Sequence, residues 1–176
     1  IVQVLEEVGC HRVSIGLECG NENYRKYMLR RPVSNEKMIK ACLCFRDSKI
    51  QLSVNNIIGY PEENRSMIME TVELNRKVKE ASDAHSCSIF QPYRGTWLNK
   101  YCVEKGYWPK EKLASDLNFD PCISYPEITH DELKGLHRTF PFYIKFPKKD
   151  WPTIAKAESF DKDGEETYQK LHEIYQ

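Results

Sequence analysis

Three times within the first 105 residues, a short alternating run leads into a turn-rich stretch and then into a segment with helical spacing. Strands that are each followed by a helix return to the same sheet in parallel, so this repetition predicts βα units in an α/β fold. The first unit alternates Val13, Ile15 and Leu17 with Ser14, Gly16 and Glu18, then enters Cys19-Gly20-Asn21. A short helix is expected over Tyr24 to Arg31, stopped near Pro32. Ser34 should cap a second helix, with Met38, Ile39, Cys42, Leu43 and Phe45 on its apolar face. The second unit alternates Ile50, Leu52 and Val54 with Gln51, Ser53 and Asn55, and continues into Ile57-Ile58-Gly59-Tyr60-Pro61. Its helix carries Met67, Thr71, Leu74 and Val78 on one stripe, beside Ile68 and Val72. The third runs from about His85 to Gln91, turns at Pro92-Tyr93-Arg94-Gly95-Thr96, and enters a helix with Leu98, Tyr101 and Cys102 that stops at Gly106.

In the first two strands the large aliphatics share one face, and Ser14, Gly16, Glu18, Ser53 and Asn55 share the other. A parallel strand buried on both faces would be apolar throughout. One face should therefore meet helices while the other lines a cavity that holds something polar. The third strand fits neither face cleanly, since Ser86 and Ser88 alternate with Cys87, Ile89 and Gln91.

Residues 107–128 break into Trp108-Pro109, Asp116, Asn118, Phe119-Asp120-Pro121 and Tyr125-Pro126, an irregular stretch long enough to be functional, here assigned to the substrate side. Thr129-His130-Asp131-Glu132 has capping-box spacing and should start a helix toward His137. Phe140 to Phe146 reads as broken at Pro141 and Pro147, with further helical pieces over Pro152 to Phe160 and Glu165 to Tyr175. The division expected is 1–106 for the βα units, 107–128 for the loop and 129–176 for a helical C-terminal extension. The chain opens inside helical sequence without an initiator Met, which predicts a piece of a longer protein.

With 26 basic and 26 acidic residues, net charge is zero, and nothing favours nucleic acid or a membrane surface as partner. Hydrophobic residues at 40% are enough for a core, and no apolar run approaches the roughly 20 residues of a membrane helix. Seven cysteines, an odd number, argue for reduced thiols and a cytoplasmic setting. None has C-x-x-C spacing to another, so they read as buried small side chains and no metal ligand is assigned.

Glu18 closes the first strand, and a carboxylate at a strand's C-terminal end points into the ligand-binding mouth of a parallel α/β fold. Equally, it could cap the next helix. Gly59 permits close backbone approach, though its turn alone is a generic βα connection. The Gln91-Pro92-Tyr93-Arg94-Gly95-Thr96 turn could hydrogen-bond a flat heterocycle, with Thr96 as N-cap. Arg30-Arg31 could hold an anion, or be solvated like most exposed arginines.

These segments together carry a resemblance. Val13-Ser14-Ile15-Gly16-Leu17-Glu18-Cys19-Gly20-Asn21-Glu22 resembles the fourth strand of radical SAM barrels, written I-G-[IL]-E-S-G-[SN]-E. Leu29 to Glu36 resembles L-x-R-x-x-[ST]-x-E, Val54 to Glu63 the fifth strand with I-x-G-x-P-x-E, and Gln91 to Leu98 the sixth-strand P-x-x-G-T-x-L. Cys19 stands where a small Ser is usual, and Glu62 where Gly is usual. The tail from Phe140 to Tyr175 resembles extensions found in the branch with an N-terminal cobalamin-binding domain.

The resemblance implies the C-terminal half of a (β/α) barrel with parallel strands, binding S-adenosylmethionine beside a [4Fe–4S] cluster for reductive cleavage to a 5′-deoxyadenosyl radical. It would give Glu18 and Asn55 to ribose or amino-acid groups, Arg31 to the carboxylate, Ile58 and Gly59 to adenine packing, and Gln91, Pro92 and Tyr93 to the adenine edge. The cluster motif C-x-x-x-C-x-x-C is not in this chain, nor is a cobalamin D-x-H-x-x-G, so cluster and any cobalamin would be held by sequence preceding it. The chain alone is then expected to be silent, with no catalytic residue assigned, an unidentified small-molecule or peptide substrate, and the N-terminal remainder as partner. Unpaired strand edges would favour self-association. Two alternatives stay open: a non-catalytic α/β interaction domain derived from such a barrel, and half of a barrel hydrolase or aldolase. The strands near 12–17, 50–57 and 86–91 should be parallel, with Glu18, Asn55 and Gln91 at one end.

Overall fold

The alternating segments form one sheet of three parallel strands, ordered β1-β2-β3, in a computed structural model that describes residues 1–114 and 120–175. A short helix α1 (Val2–Glu7) precedes β1 (Arg12–Glu18). Helices α2 (Glu22–Tyr27) and α3 (Asn35–Leu43) lead to β2 (Gln51–Ile58), and α4 (Arg65–Arg76) leads to β3 (Ala84–Ile89). Helix α5 (Trp97–Glu104) follows, and α6 (His130–Lys145), α7 (Trp151–Lys156) and α8 (Lys162–Tyr175) complete the chain. The arrangement is that of half a barrel with C-terminal helices. The positions Asp116, Asn118 and Phe119 of the irregular stretch lie outside the described residues.

Two compact units emerge, residues 1–56 with 67–87, and residues 57–66 with 88–176. In the first, Leu17, Leu52 and Val54 of the strands pack with Met38, Cys42, Phe45, Leu74 and Val78 into the core. Periodicity made this inevitable: at two-residue spacing the same strands send Arg12, Ser14, Gln51 and Asn55 to the other, exposed face. The third strand obeys the same rule. Ala84, Ser86 and Ser88 are exposed, whereas His85 and Cys87 are half-buried and Ile89 is buried. Helix α2 ends at Tyr27 rather than Arg31, because Arg30 adopts a left-handed φ of 54° that turns the chain early. Ser34 caps α3 as expected, accepting from Lys37 N–H at 3.3 Å.

In the second unit the Thr129 capping box is present and starts α6. The break expected at Pro141 does not occur. Helix α6 runs through it to Lys145, since Leu136, Phe140, Phe142, Tyr143 and Ile144 are all buried and outweigh one missing backbone donor. Phe142 packs with Phe146, Tyr168 and Tyr175. The described part of 107–128 has no helix or strand beyond a Tyr125–Ile128 bridge, yet Trp108, Ile123, Tyr125 and Ile128 are buried and anchor it.

The Arg65 guanidinium grips Glu158 at 2.7 and 2.6 Å, and Tyr143 O–H donates to the same carboxylate. Burial first, then that carboxylate, push the Tyr143 hydroxyl pKa up, so it stays a donor. The Glu158 side chain is 12% exposed but that of Arg65 is 40%, so solvent screening lowers what the pair contributes. Glu158→Gln is therefore expected to cost about 1–2 kcal/mol in urea unfolding. A loss below about 0.5 kcal/mol would show the pair to be energetically idle.

Candidate functional site

The end of β1 departs from regular strand geometry. Gly16 pairs with Asn55 and Glu18 with Asn56, so one extra residue is inserted as a bulge, a device that re-aims a side chain. Cys19 N–H donates to Leu17 O at 2.8 Å, which makes Glu18 the centre of a γ-turn. Its φ of 65° is in the left-handed region, at a cost of about 1–2 kcal/mol for a side chain with a Cβ. Arg31 returns to this turn, its Nη1 3.2 Å from Glu18 Oε1 and its Nη2 donating to Gly16 O at 3.2 Å. The two side chains are 22% and 42% exposed, so the pair is accessible. Burial raises the Glu18 pKa, and Arg31 opposes it. Gly16 leaves no room beyond that carboxylate: a methyl there would overlap Glu18 Oε1.

Beside this pair lies the exposed sheet face. Asn55 Nδ2 donates to Ser14 Oγ at 2.9 Å, and Ser86 Oγ donates to Asn55 Oδ1 at 2.7 Å, which gives a polar ladder across all three strands. Arg12 donates to Gln51 Oε1 at 2.6 Å from Nη2. Asn55 is thus where the alternation put it, and Ser86, left unassigned by the sequence, completes it.

The opposite face explains how α4 is held. Asn56 Nδ2 donates to Ser86 O at 3.0 Å and Asn75 Nδ2 to Thr71 O at 2.8 Å. These carbonyls fix both amide orientations, so each Asn also donates to the other's oxygen. Asn75 Oδ1 must then accept from His85 Nδ1–H, 2.8 Å away. Burial pushes the His85 pKa down to about 4, and the ring is neutral. No local signal in the sequence marks this network, whose members come from β2, α4 and β3.

In the second unit the Ile58-Gly59-Tyr60-Pro61-Glu62-Glu63 turn is stapled by Glu63. Its fully buried carboxylate accepts from Gly59 N–H at 2.7 Å and Tyr60 N–H at 3.3 Å. Glu62 keeps φ at 64°, the conformation glycine would adopt freely, and its side chain accepts from Tyr101 O–H at 2.5 Å. The departure from Gly therefore leaves a left-handed turn. Ile58 is fully buried, and the space a Cβ on Gly59 would need is filled by Leu133. Gln91 and Pro92 are buried and Tyr93 is exposed. Gln91 Nε2 donates to Asp120 O at 3.3 Å, while its buried Oε1 has no partner among the described residues. Thr96 caps α5 as expected, and Asn99, which the sequence did not single out, donates to Pro92 O at 2.7 Å. Glu18, Arg31 and Asn55 belong to the first unit and Ile58, Gly59, Gln91, Pro92 and Tyr93 to the second.

None of the seven cysteines is in a disulfide; Cys19, Cys42 and Cys102 are buried as expected, but Cys44 is exposed and Cys10, Cys87 and Cys122 are half-buried. Burial pushes the thiols of Cys42 and Cys122 up to about 11 and that of Cys102 to about 12, the wrong direction for thiolate ligands. Among the described residues no group of three or more His, Cys, Asp or Glu is placed to hold a metal ion, and no helix is long and apolar enough to cross a membrane.

Comparison with known proteins agrees with the motifs. Residues 1–74 match the radical SAM superfamily. The chain is 22% identical over 164 residues to an uncharacterized methyltransferase of Pyrococcus horikoshii. That alignment covers 93% of this chain and 34% of the relative, so the chain spans about a third of the length of that curated protein. Neither match speaks to a cobalamin-binding domain.

Proposed function

From residues 1–74, which carry radical SAM superfamily sequence, we propose that this chain supplies part of the S-adenosylmethionine site of a methyltransferase of that superfamily. The observation that carries the reading is the accessible Glu18–Arg31 pair at the bulged end of β1. The methionyl end of S-adenosylmethionine is a zwitterion. An adjacent carboxylate and guanidinium match its ammonium and carboxylate, and a carboxylate also accepts readily from ribose hydroxyls. Asn55 and Ser14, on the open face next to Gly16, add donors and acceptors suited to the same groups.

In the second unit, taken by itself, Gln91 Oε1 is a buried acceptor with no donor among the described residues, the kind of group that would accept from an adenine amino group. When bound, S-adenosylmethionine supplies an activated methyl group and a radical precursor. The residues here bind and orient it. A [4Fe–4S] cluster, which the superfamily implies in general, does not fit the residues present, since among the described residues no three cysteines come together and burial raises the thiol pKa of Cys42, Cys102 and Cys122.

In the full-length protein, Glu18→Gln should raise the Kd for S-adenosylmethionine about tenfold or more, from loss of a charge-assisted hydrogen bond. Equilibrium dialysis checks this, with Gly9→Ala, at a glycine with open space around it, as control. Unchanged affinity in Glu18→Gln would remove Glu18 from the site.

A further inference from the structure

Strain at Glu18 persists only if its surroundings fix the turn from several sides. They do. Cys19 O accepts from Arg25 Nη1 at 2.5 Å, Gly20 N–H donates to Thr71 Oγ1 at 2.8 Å, and Gly20 O accepts from Asn35 Nδ2 at 2.9 Å. Arg25 and Thr71 are fully buried, so neither can touch a ligand. Arg25 also donates from Nη2 to Val33 O at 2.5 Å, spanning both sides of the α2 connection, while its buried Nε has no partner among the described residues. Burial lowers its pKa, a cost that a merely decorative arginine would avoid by facing solvent. Thr71 Oγ1 donates to Met67 O at 3.3 Å, which leaves its lone pair aimed at Gly20. Glu70, next along α4, accepts from Asn21 Nδ2 at 3.0 and 3.1 Å.

We propose that Arg25 and Thr71 are positioning residues that act through Glu18, holding the γ-turn so that its carboxylate stays against Arg31 and open to ligand. The importance of this for binding rests on the S-adenosylmethionine reading above, whereas the control of Glu18 does not. Arg25 bolts the turn to the α2–α3 connection, and Thr71 bolts it to α4. A conformation that glycine would take freely is thereby imposed on a glutamate.

The test compares Thr71→Val, which keeps the shape but removes the acceptor, with Thr71→Ser, which restores it. Arg25→Lys keeps the charge but cannot span two carbonyls. The Glu18 carboxyl is titrated by carbon-13 NMR in the 176-residue chain, with Arg31→Gln as the reference for loss of its charged partner. Thr71→Val should move the Glu18 midpoint toward that of an exposed glutamate and raise amide exchange at Gly20 at least tenfold. Thr71→Ser should match the parent. In the full-length protein the Kd for S-adenosylmethionine should rise about tenfold in Thr71→Val and not in Thr71→Ser. If Arg25→Lys does not fold, the Thr71 pair decides. An unmoved Glu18 titration in folded Thr71→Val, or a Thr71→Ser variant that behaves like it, overturns the proposal. A shifted titration in a protein that never binds S-adenosylmethionine sustains the positioning role and refutes only the ligand.

Discussion

Gly20→Ala is expected to destabilise the first unit by about 3–5 kcal/mol. A methyl on Gly20 would overlap the Glu70 carbonyl and the Thr71 amide of α4. Those are backbone atoms in a helix, which cannot swing aside as a side-chain tip can. Either the helix shifts or the loop does, and both break the buried Gly20 N–H to Thr71 hydrogen bond. Overpacking contributes about 1–3 kcal/mol and the orphaned amide a similar amount. Thermal unfolding should fall on the order of 10 °C for a chain of this size. Gly9→Ala is the control, because Gly9 has φ 76° but nothing within 4 Å of a Cβ, and strain alone costs about 1 kcal/mol. If the two variants lose the same stability, close approach of α4 is not what Gly20 provides.

Acid should unfold the first unit through His85. Its folded pKa, about 4, lies below the roughly 6.5 of an unfolded histidine, so the unfolded chain binds the extra proton first. The contribution is complete above about pH 6.5 and disappears as pH falls toward 4, a loss of about 3 kcal/mol over that window. Structure gives the cause. Burial penalises the charged ring, which sits against Asn75 Oδ1 through its Nδ1–H. Carboxylates elsewhere also titrate, so the measurement is the difference between the parent and His85→Gln in urea unfolding from pH 7 to 4. The variant should start less stable at pH 7 and lose about 3 kcal/mol less on acidification. Parallel pH profiles would contradict a buried neutral histidine.

Part of the geometry of the candidate site was legible because its signals are local. Alternation in β1 and β2 sent Ser14 and Asn55 to one face, whereas Glu18 is aimed by the bulge, and the caps at Ser34, Thr96 and Thr129 each need only a hydroxyl and an amide three residues on. Pro141 misled for the opposite reason. A local rule against proline inside a helix was overridden by the buried aromatic face of α6, whose partners lie in α7 and α8.

Sequence by itself determined the periodicity, the strand faces, the caps and the motif order, because side-chain direction and capping depend on neighbours within a turn of chain. Tertiary structure alone decided that Arg25 is buried beneath the Glu18 turn, that Thr71 meets Gly20 51 positions away, and that His85 is kept neutral by burial beside Asn75. An arginine in a short helix or a histidine in a strand reads the same whether solvated or buried. Desolvation and hydrogen bonding to distant backbone groups set their roles, and those partners exist only once the chain has folded.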